Sequence, residues 1–414
     1  MSDNEKIVKG SEAYIKKRSE RTSKADLTAA EKKQTRKKRI RKILLFLVFA
    51  AINVTVIVAT AVNEFGNSRQ AAQLSEIKIN WWLLIPATLC FVVAFVLDIY
   101  KYVLMLRKNT PAGTFEKGED WKLARRTVIF GRYYDNITPA AVGGQPFQIY
   151  YMHKSGKLKS GLATTIPMMG MISIQIGFIL VALVCFIFGG IRGNSAVLGV
   201  AAWLGLLFYA FWPVAVMLAT FFPKVTAKII NAVVKLLSRM RIVKNRDEVI
   251  AKIEHEVGEY ATSVKRILKS KGLFATIILI SVVYNVLMAM IPFFVLTAFG
   301  GNVDLWQTLA TTVAVMSSVY FVPTPGNSGA AEGTFYMVFS ALSDGFVFWA
   351  MLIWRFFSYY IYILMGPITY AIIKWGEERK MREGVLDEKA SGGETSGEED
   401  SLKKGGKSKS AEKK

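Results

Sequence analysis

Phe321-Val-Pro-Thr-Pro-Gly-Asn-Ser-Gly-Ala-Ala-Glu-Gly-Thr-Phe335 breaks an apolar stretch with two prolines, three glycines and one carboxylate, Glu332. Proline removes a backbone donor and glycine loosens a helix, so such a break leaves N–H and C=O groups without intrahelical partners. Hydrocarbon offers no water to satisfy them. The segment must therefore be buried in protein or line a wet cavity, and it cannot face lipid. An ionisable side chain at that depth marks a candidate functional site.

A second break, Asn136-Ile-Thr-Pro-Ala-Ala-Val-Gly-Gly-Gln-Pro-Phe-Gln148, lies in the first half of the chain. Paired Gly/Pro-interrupted segments in two halves point to the binding site of a transporter-type fold. Around the breaks, apolar runs of bilayer length, roughly 20 residues each, occupy 42–62, 81–106, 162–188, 197–222, 273–299 and 345–373. The run at 305–322 is shorter and leads straight into the Pro/Gly break. The soluble class is excluded. The expected fold is an all-α polytopic membrane protein of about six spans plus two opposed re-entrant hairpins, at 121–152 and 305–343. Opposed hairpins suggest an inverted repeat around a cavity near the midplane.

Charge sets the expected orientation. The 414 residues are 52% hydrophobic yet hold 53 Lys+Arg against 31 Asp+Glu, a formal net charge of +22. No zinc-finger spacing or RNP-like aromatic motif accompanies this excess, so nucleic acid is not an expected partner. It reads instead as the positive-inside bias of a multi-pass protein, with attraction to anionic lipid. Residues 1–41 form a basic arm ending in Arg36-Lys-Lys-Arg-Ile-Arg-Lys42. Connector 63–80 is poor in Lys/Arg, 107–160 rich, 189–196 sparse, 223–271 strongly basic, and 300–304 has none. Six spans with both termini cytoplasmic satisfy all of these; a seventh at 305–322 would place the basic flank from Lys374 outside. No cleavable signal is visible, because about forty polar residues precede the first apolar run.

The expected domains are the arm at 1–41, a membrane domain at 42–375 and a disordered tail at 376–414. The connector 223–271 repeats Ile250, Ile253, Val257, Tyr260, Val264 and Ile267 at helical spacing, which suits a helix on the membrane surface. Cys90 and Cys185 both lie inside apolar runs and read as small buried hydrophobes. No metal pattern, Walker loop or dinucleotide fingerprint occurs, so no cofactor is expected.

Glu332 is the sharpest candidate for lipid-headgroup contact. A helix restarting near Gly329 places it on one face with Phe335 and Tyr336, and Arg355 in the last span is its natural partner. That pair either locks the hairpin or meets substrate. In the first hairpin, Arg125, Arg126 and Arg132 offer guanidinium forks suited to phosphate, beside a less polar stripe of Leu123, Thr127, Phe130 and Tyr134. Asn136, Gln145 and Gln148 supply neutral hydrogen bonds around the break. Gly143 and Gly144 permit close backbone approach, and their N–H groups suit an anion nest. Asp98 and Lys101, three apart, can pair along their helix, and Lys101 near its end can snorkel. Asn327 and Ser328 complete the polar set in the second break. Gly326-Asn-Ser-Gly329 imitates the motif of intramembrane rhomboid proteases, but no His follows to activate Ser328. No catalytic residue is assigned.

These residues together resemble the lysylphosphatidylglycerol synthase transmembrane family, the flippase-like domain of bacterial multiple peptide resistance factors. The resemblance rests on Asn136-Ile-Thr-Pro-Ala-Ala-Val-Gly-Gly-Gln-Pro, on Pro323-Thr-Pro-Gly-Asn-Ser-Gly-Ala-Ala-Glu332, and on Trp354-Arg355 with Gly366-Pro367. It covers roughly 40–375. It implies a multi-pass protein of the bacterial plasma membrane that carries phospholipid, typically aminoacylated phosphatidylglycerol, between leaflets and so contributes to resistance against cationic peptides. By the same resemblance, Glu332 and Arg355 match the family's acidic and basic positions, and Asn136, Pro139, Gly143 and Gly144 match its first break. Bifunctional relatives append a soluble transferase domain that uses aminoacyl-tRNA. Only low-complexity residues follow the last span here, so lysyltransferase chemistry, and tRNA with it, is expected only through the family label. A separate synthase partner, transport of another envelope lipid, and a non-transporting role beside an envelope enzyme stay open.

Overall fold

The computed structural model describes residues 79–379, except 140–142, 190–195, 344–345 and most of 223–267, together with Thr55, Val58 and Val62. Nearly all of the first apolar run, most of the amphipathic connector, the arm and the tail beyond Arg379 therefore lie outside the described residues, while 376–379 of the expected disordered tail are helical.

Every described element is helical. Helix α1 covers Leu84–Asn109, α2 Glu119–Ile137, α3 Gly144–Lys154, and α4 Ser160–Val184 with a π turn at Cys185–Gly189. They are followed by α5 at Ala196–Phe221, α6 at Lys271–Ala298, α7 at Leu305–Val319 and α8 at Ala330–Phe339. Helix α9 begins at Val347–Arg355, passes a π turn at Phe356–Tyr360, and continues as helix to Arg379. Five segments are long and apolar enough to cross a membrane: Trp81–Asn109, Gly161–Gly189, Val197–Ala215, Lys271–Ala298 and Val347–Arg379. They match five of the six expected spans, and α7 is not among them. Leu89, Val92 and Val96 on α1 and Leu204, Leu207 and Phe211 on α5 are exposed, as side chains against lipid would be. Trp81, Trp82 and Trp375 are exposed at span ends, where indole rings favour the headgroup level.

Both helix–break–helix segments enter and leave on one side. In the first, Glu119 at the start of α2 pairs with Lys157 just after α3, Nζ to Oε2 at 2.9 Å. In the second, Phe346 N–H donates to the Phe299 carbonyl at 3.2 Å, so the exit of α8 returns to the end of α6. These two sides are opposite. The Asn80 N–H ahead of α1 reaches the carbonyl of Ala298, the last residue of α6, at 2.9 Å, so α1 and α6 run antiparallel. The first hairpin follows the end of α1 and the second follows the end of α6. Two re-entrant hairpins thus point at each other, and span–hairpin–span occurs twice in opposite sense.

The hub is α6, which packs on α1, α4, α7 and α9. Its contact with α4 depends on Gly177, where a Cβ would stand 2.7 Å from the backbone carbon of Ser281. Apolar packing alone gives little drive for helix association in lipid, so close backbone approach through small residues matters more than bulk.

Candidate functional site

The second break satisfies its own backbone. Asp304 caps α7 by accepting from the Gln307 N–H at 2.8 Å. At the other end of α7, the Asn327 side chain donates to the Val319 carbonyl at 3.0 Å. Asn327 itself has φ 55°, the left-handed conformation that Asn tolerates better than most residues. The Thr324 hydroxyl donates to the Ser328 carbonyl at 2.9 Å, and Ser328 is buried. Helix α8 then starts with Glu332 at its third position, accepting from the Gly329 N–H at 2.6 Å.

The expected Glu332–Arg355 pair is present as a two-pronged bond. Arg355 Nε donates to Oε1 at 2.7 Å and its Nη2 to Oε2 at 3.0 Å. The residues are 1% and 3% exposed. A longer bond, 3.4 Å, runs from Nη2 to the Gly326 carbonyl. The guanidinium also lies 5.3 Å from the ring centres of Trp354 and Tyr359, and Trp354 stacks on Phe335 at 4.5 Å. Both carboxylate oxygens are occupied, and the pair is formally neutral. It clasps the second hairpin to α9.

In the first hairpin the less polar stripe becomes the seam between α2 and α3. Tyr134 stacks on Phe147 with ring centres 4.0 Å apart, and Phe130 packs against Phe147 and Tyr151. The glycine N–H groups are not an open nest. Gly143 donates to the Thr138 hydroxyl at 2.9 Å and Gly144 to Asp135 Oδ1 at 2.9 Å. The last turn of α2 thus supplies its own carboxylate where an external anion was expected. Gln148 is buried, donating to the Thr127 carbonyl at 3.1 Å and accepting from the Tyr102 hydroxyl at 3.4 Å, which ties the hairpin to α1. Gln145 is half-buried and Arg125 exposed. Arg126 lies 3.5 Å from the Tyr151 hydroxyl.

The hairpin tips meet at Tyr359, inside the π turn of α9. The Tyr359 hydroxyl donates to the Asn136 carbonyl, and the Asn136 side chain donates to the Tyr359 carbonyl, each at 3.4 Å. A Cβ on Gly326 would strike the Tyr359 ring and stand 3.4 Å from the same Asn136 carbonyl. π turns inside helices often mark functional positions, and this one touches both breaks, Asn136 of the first by hydrogen bonds and Gly326 of the second by close packing.

A second charged cluster lies on α1 and α2. Asp98 forms an ion pair with Lys101, Oδ1 to Nζ at 2.9 Å, and accepts from Arg132 Nη2 at 3.0 Å. Lys101 does not snorkel: it is 1% exposed, because α4 crosses above it and the Gly170 carbonyl accepts from its Nζ at 3.1 Å. The Arg132 side chain is 26% exposed and its guanidinium lies 5.1 Å from the Tyr284 ring centre on α6. With all three groups ionised this cluster carries one surplus positive charge. Asp98 and Lys101 were legible as a local pair. Their link to Arg132 was not, since nothing in the sequence fixes the register of α2 on α1. Asp135 and Tyr359 were also missed; an Asp in the last turn of the helix ahead of the Gly-Gly break was the available signal for the first.

Residues 42–366 match the family described as lysylphosphatidylglycerol synthase TM region. The chain belongs to this family. No curated protein and no solved structure matches it. As a member of the lysylphosphatidylglycerol synthase TM family, it is a membrane protein of the lysylphosphatidylglycerol pathway.

Proposed function

We propose that this protein carries aminoacylated phosphatidylglycerol between the leaflets of a bacterial plasma membrane, with both its termini in the cytoplasm. The observation that supports this reading best is the partly exposed Arg132 guanidinium near the tip end of α2, which shares Asp98 with Lys101 so that these three groups together carry one positive charge in excess. A net charge among spanning helices costs on the order of 2.5–3.5 kcal/mol on insertion scales, so it favours an anion. A lipid phosphate is such an anion, and its acyl chains need not leave the bilayer. Arg132 is the accessible member, and its planar fork suits phosphate oxygens. Asp135, three residues on and so on the same face of α2, suits the ammonium of an aminoacyl group. The clasp of Glu332 and Arg355 holds the second hairpin while the headgroup passes the joined tips. Cationic lipid delivered outside lowers the negative surface potential and repels cationic peptides.

The test is the full chain in liposomes with aminoacylated phosphatidylglycerol labelled in one leaflet, timed as it appears in the other. Arg132→Gln slows transfer about tenfold or more, in line with loss of a charge-assisted bond worth roughly 1.5–3 kcal/mol, while Arg132→Lys retains part of the rate. Arg125→Gln, at an exposed position, leaves it unchanged. Unaltered transfer by a folded Arg132→Gln protein would refute this assignment.

A further inference from the structure

A cavity of about 880 Å³ opens where the end of α1, the turn into α4 and the start of α6 come together. Four of its lining residues are lysines, Lys108, Lys157, Lys159 and Lys269, and none is acidic. Only Lys157 has a described carboxylate partner, Glu119 from the mouth of the first hairpin. All four lysines are exposed, and the floor is Leu158, Leu162 and Leu273, all buried. The volume is that of a ligand site.

The helix ends around it add to the positive potential. Lys159 and Ser270, which both line the cavity, are the N-cap residues of α4 and α6, and neither makes a side-chain cap bond. These helices run 25 and 28 residues, so each presents free N–H groups and the positive end of its dipole near the lysines. At the end of α1 on the third wall, the Asn109 side chain donates to the Met105 carbonyl and the Thr110 hydroxyl to the Leu106 carbonyl.

We infer that this cavity binds a phosphorylated anion, with an acidic phospholipid headgroup as the favoured source. The site stands at the ends of three bilayer-crossing segments, at headgroup depth, with a leucine floor beneath the lysines. A phosphodiester in that position meets ammonium groups while the glycerol end of its acyl chains meets leucine. The cavity is built by residues other than those of the clasp or the Asp98 cluster. Its occupancy is therefore independent of whether the protein transports lipid.

The experiment reads binding alone. Cys90 and Cys185 are buried, so Thr114→Cys at the cavity rim takes an environment-sensitive dye selectively on the purified full chain. The labelled protein is titrated with short-chain phosphatidylglycerol, short-chain phosphatidylcholine, glycerol phosphate and inorganic phosphate. Phosphatidylglycerol gives a saturable signal that weakens with salt. In Lys108→Gln/Lys159→Gln/Lys269→Gln the half-saturation point rises about a hundredfold, three ammonium groups near a surface each contributing on the order of a fivefold factor. Lys117→Gln/Lys122→Gln/Lys154→Gln, outside the lining, behaves as the parent. Unchanged melting of both triple variants separates binding from folding. Equal saturation by phosphatidylcholine, or undiminished binding in the first triple variant, overturns the site. Glycerol phosphate or inorganic phosphate binding as tightly as phosphatidylglycerol overturns the lipid source and leaves a soluble phosphate compound as ligand.

Discussion

Breaking the clasp from one side should cost far more than removing it whole. Arg355 makes bonds of 2.7 and 3.0 Å to Glu332, and beyond it the carboxylate holds only the Gly329 N–H at 2.6 Å. Arg355→Met leaves a buried carboxylate with that single donor. Glu332→Gln leaves a guanidinium whose one other described bond is the 3.4 Å contact to Gly326. Removing one partner of a buried pair typically costs about 3–5 kcal/mol, whereas replacing both by apolar or neutral groups of similar volume is often close to neutral. The double variant Glu332→Gln/Arg355→Met should therefore be more stable than the sum of the singles by about 2 kcal/mol or more. Pairs in membrane helices usually couple less, near 0.6 kcal/mol, because the unfolded state in lipid finds substitutes. The upper end is expected here because both groups are charged and almost fully buried. The assay is a double-mutant cycle by denaturing-detergent titration of protein in mixed micelles. Additivity within about 0.5 kcal/mol would refute the clasp as an energetic unit.

Other perturbations separate packing from chemistry. Gly205 on α5 has its missing Cβ against the Ser317 carbonyl of α7, so Gly205→Val forces the helices apart and lowers stability by about 1–3 kcal/mol in the same titration. Gly333→Ala on α8, where a Cβ meets nothing within 4 Å, is neutral or stabilising by up to about 1 kcal/mol. At the mouth of the first hairpin, burial works to raise the Asp120 carboxyl. The Arg107 hydrogen bond and the Trp121 N–H outweigh it and hold the group below its ordinary 3.8; Lys157 does the same for Glu119 below 4.5. A carboxyl lowered on folding stabilises above its ordinary value and loses that contribution as pH falls through the lowered one. The contribution of these two carboxyls to thermal stability should thus be level from pH 7 to about 5 and fall only below the ordinary carboxylate range, and Asp120→Asn should remove part of that acid-side loss.

The breaks were readable because hydrocarbon makes an irregular backbone expensive wherever it occurs. Two prolines and three glycines beside Glu332 could only be a buried turn, whatever the tertiary detail. Counting basic residues in the connectors then fixed which apolar run does not cross, and α7 is indeed short and followed by a chain reversal. Glu332 and Arg355 were readable as a pair because each lies in a segment where a lone charge is costly. What sequence could not supply was helix register. Arg132 meets Asp98 across 34 positions, and Tyr359 meets Asn136 across 223. Both depend on how far α2 and α9 rotate and slide against neighbours, which periodicity in nearly all-apolar helices does not define. The Gly143-Gly144 nest failed as a reading for a related reason. A donor pair takes the nearest acceptor, and Asp135 is covalently held within reach.

The two charged clusters differ in the one property that a passing anion can exploit. Glu332 and Arg355 neutralise each other through short bonds, so a phosphate arriving there gains only what it takes from a bond already made. Arg132 is different, since Asp98 is shared between it and Lys101 and cannot neutralise both. On the proposed reading, a headgroup phosphate completes that cluster and competes with Asp98 for the guanidinium, which would loosen α2 from α1. The hairpin tip is then held at α9 by two bonds of 3.4 Å, near the limit of useful hydrogen bonding, while the clasp beside it retains bonds of 2.7 and 3.0 Å. On the proposed reading, the joint that yields is Asn136–Tyr359. The first hairpin moves with its lipid, and the second stays fixed to α9 as the wall it moves against.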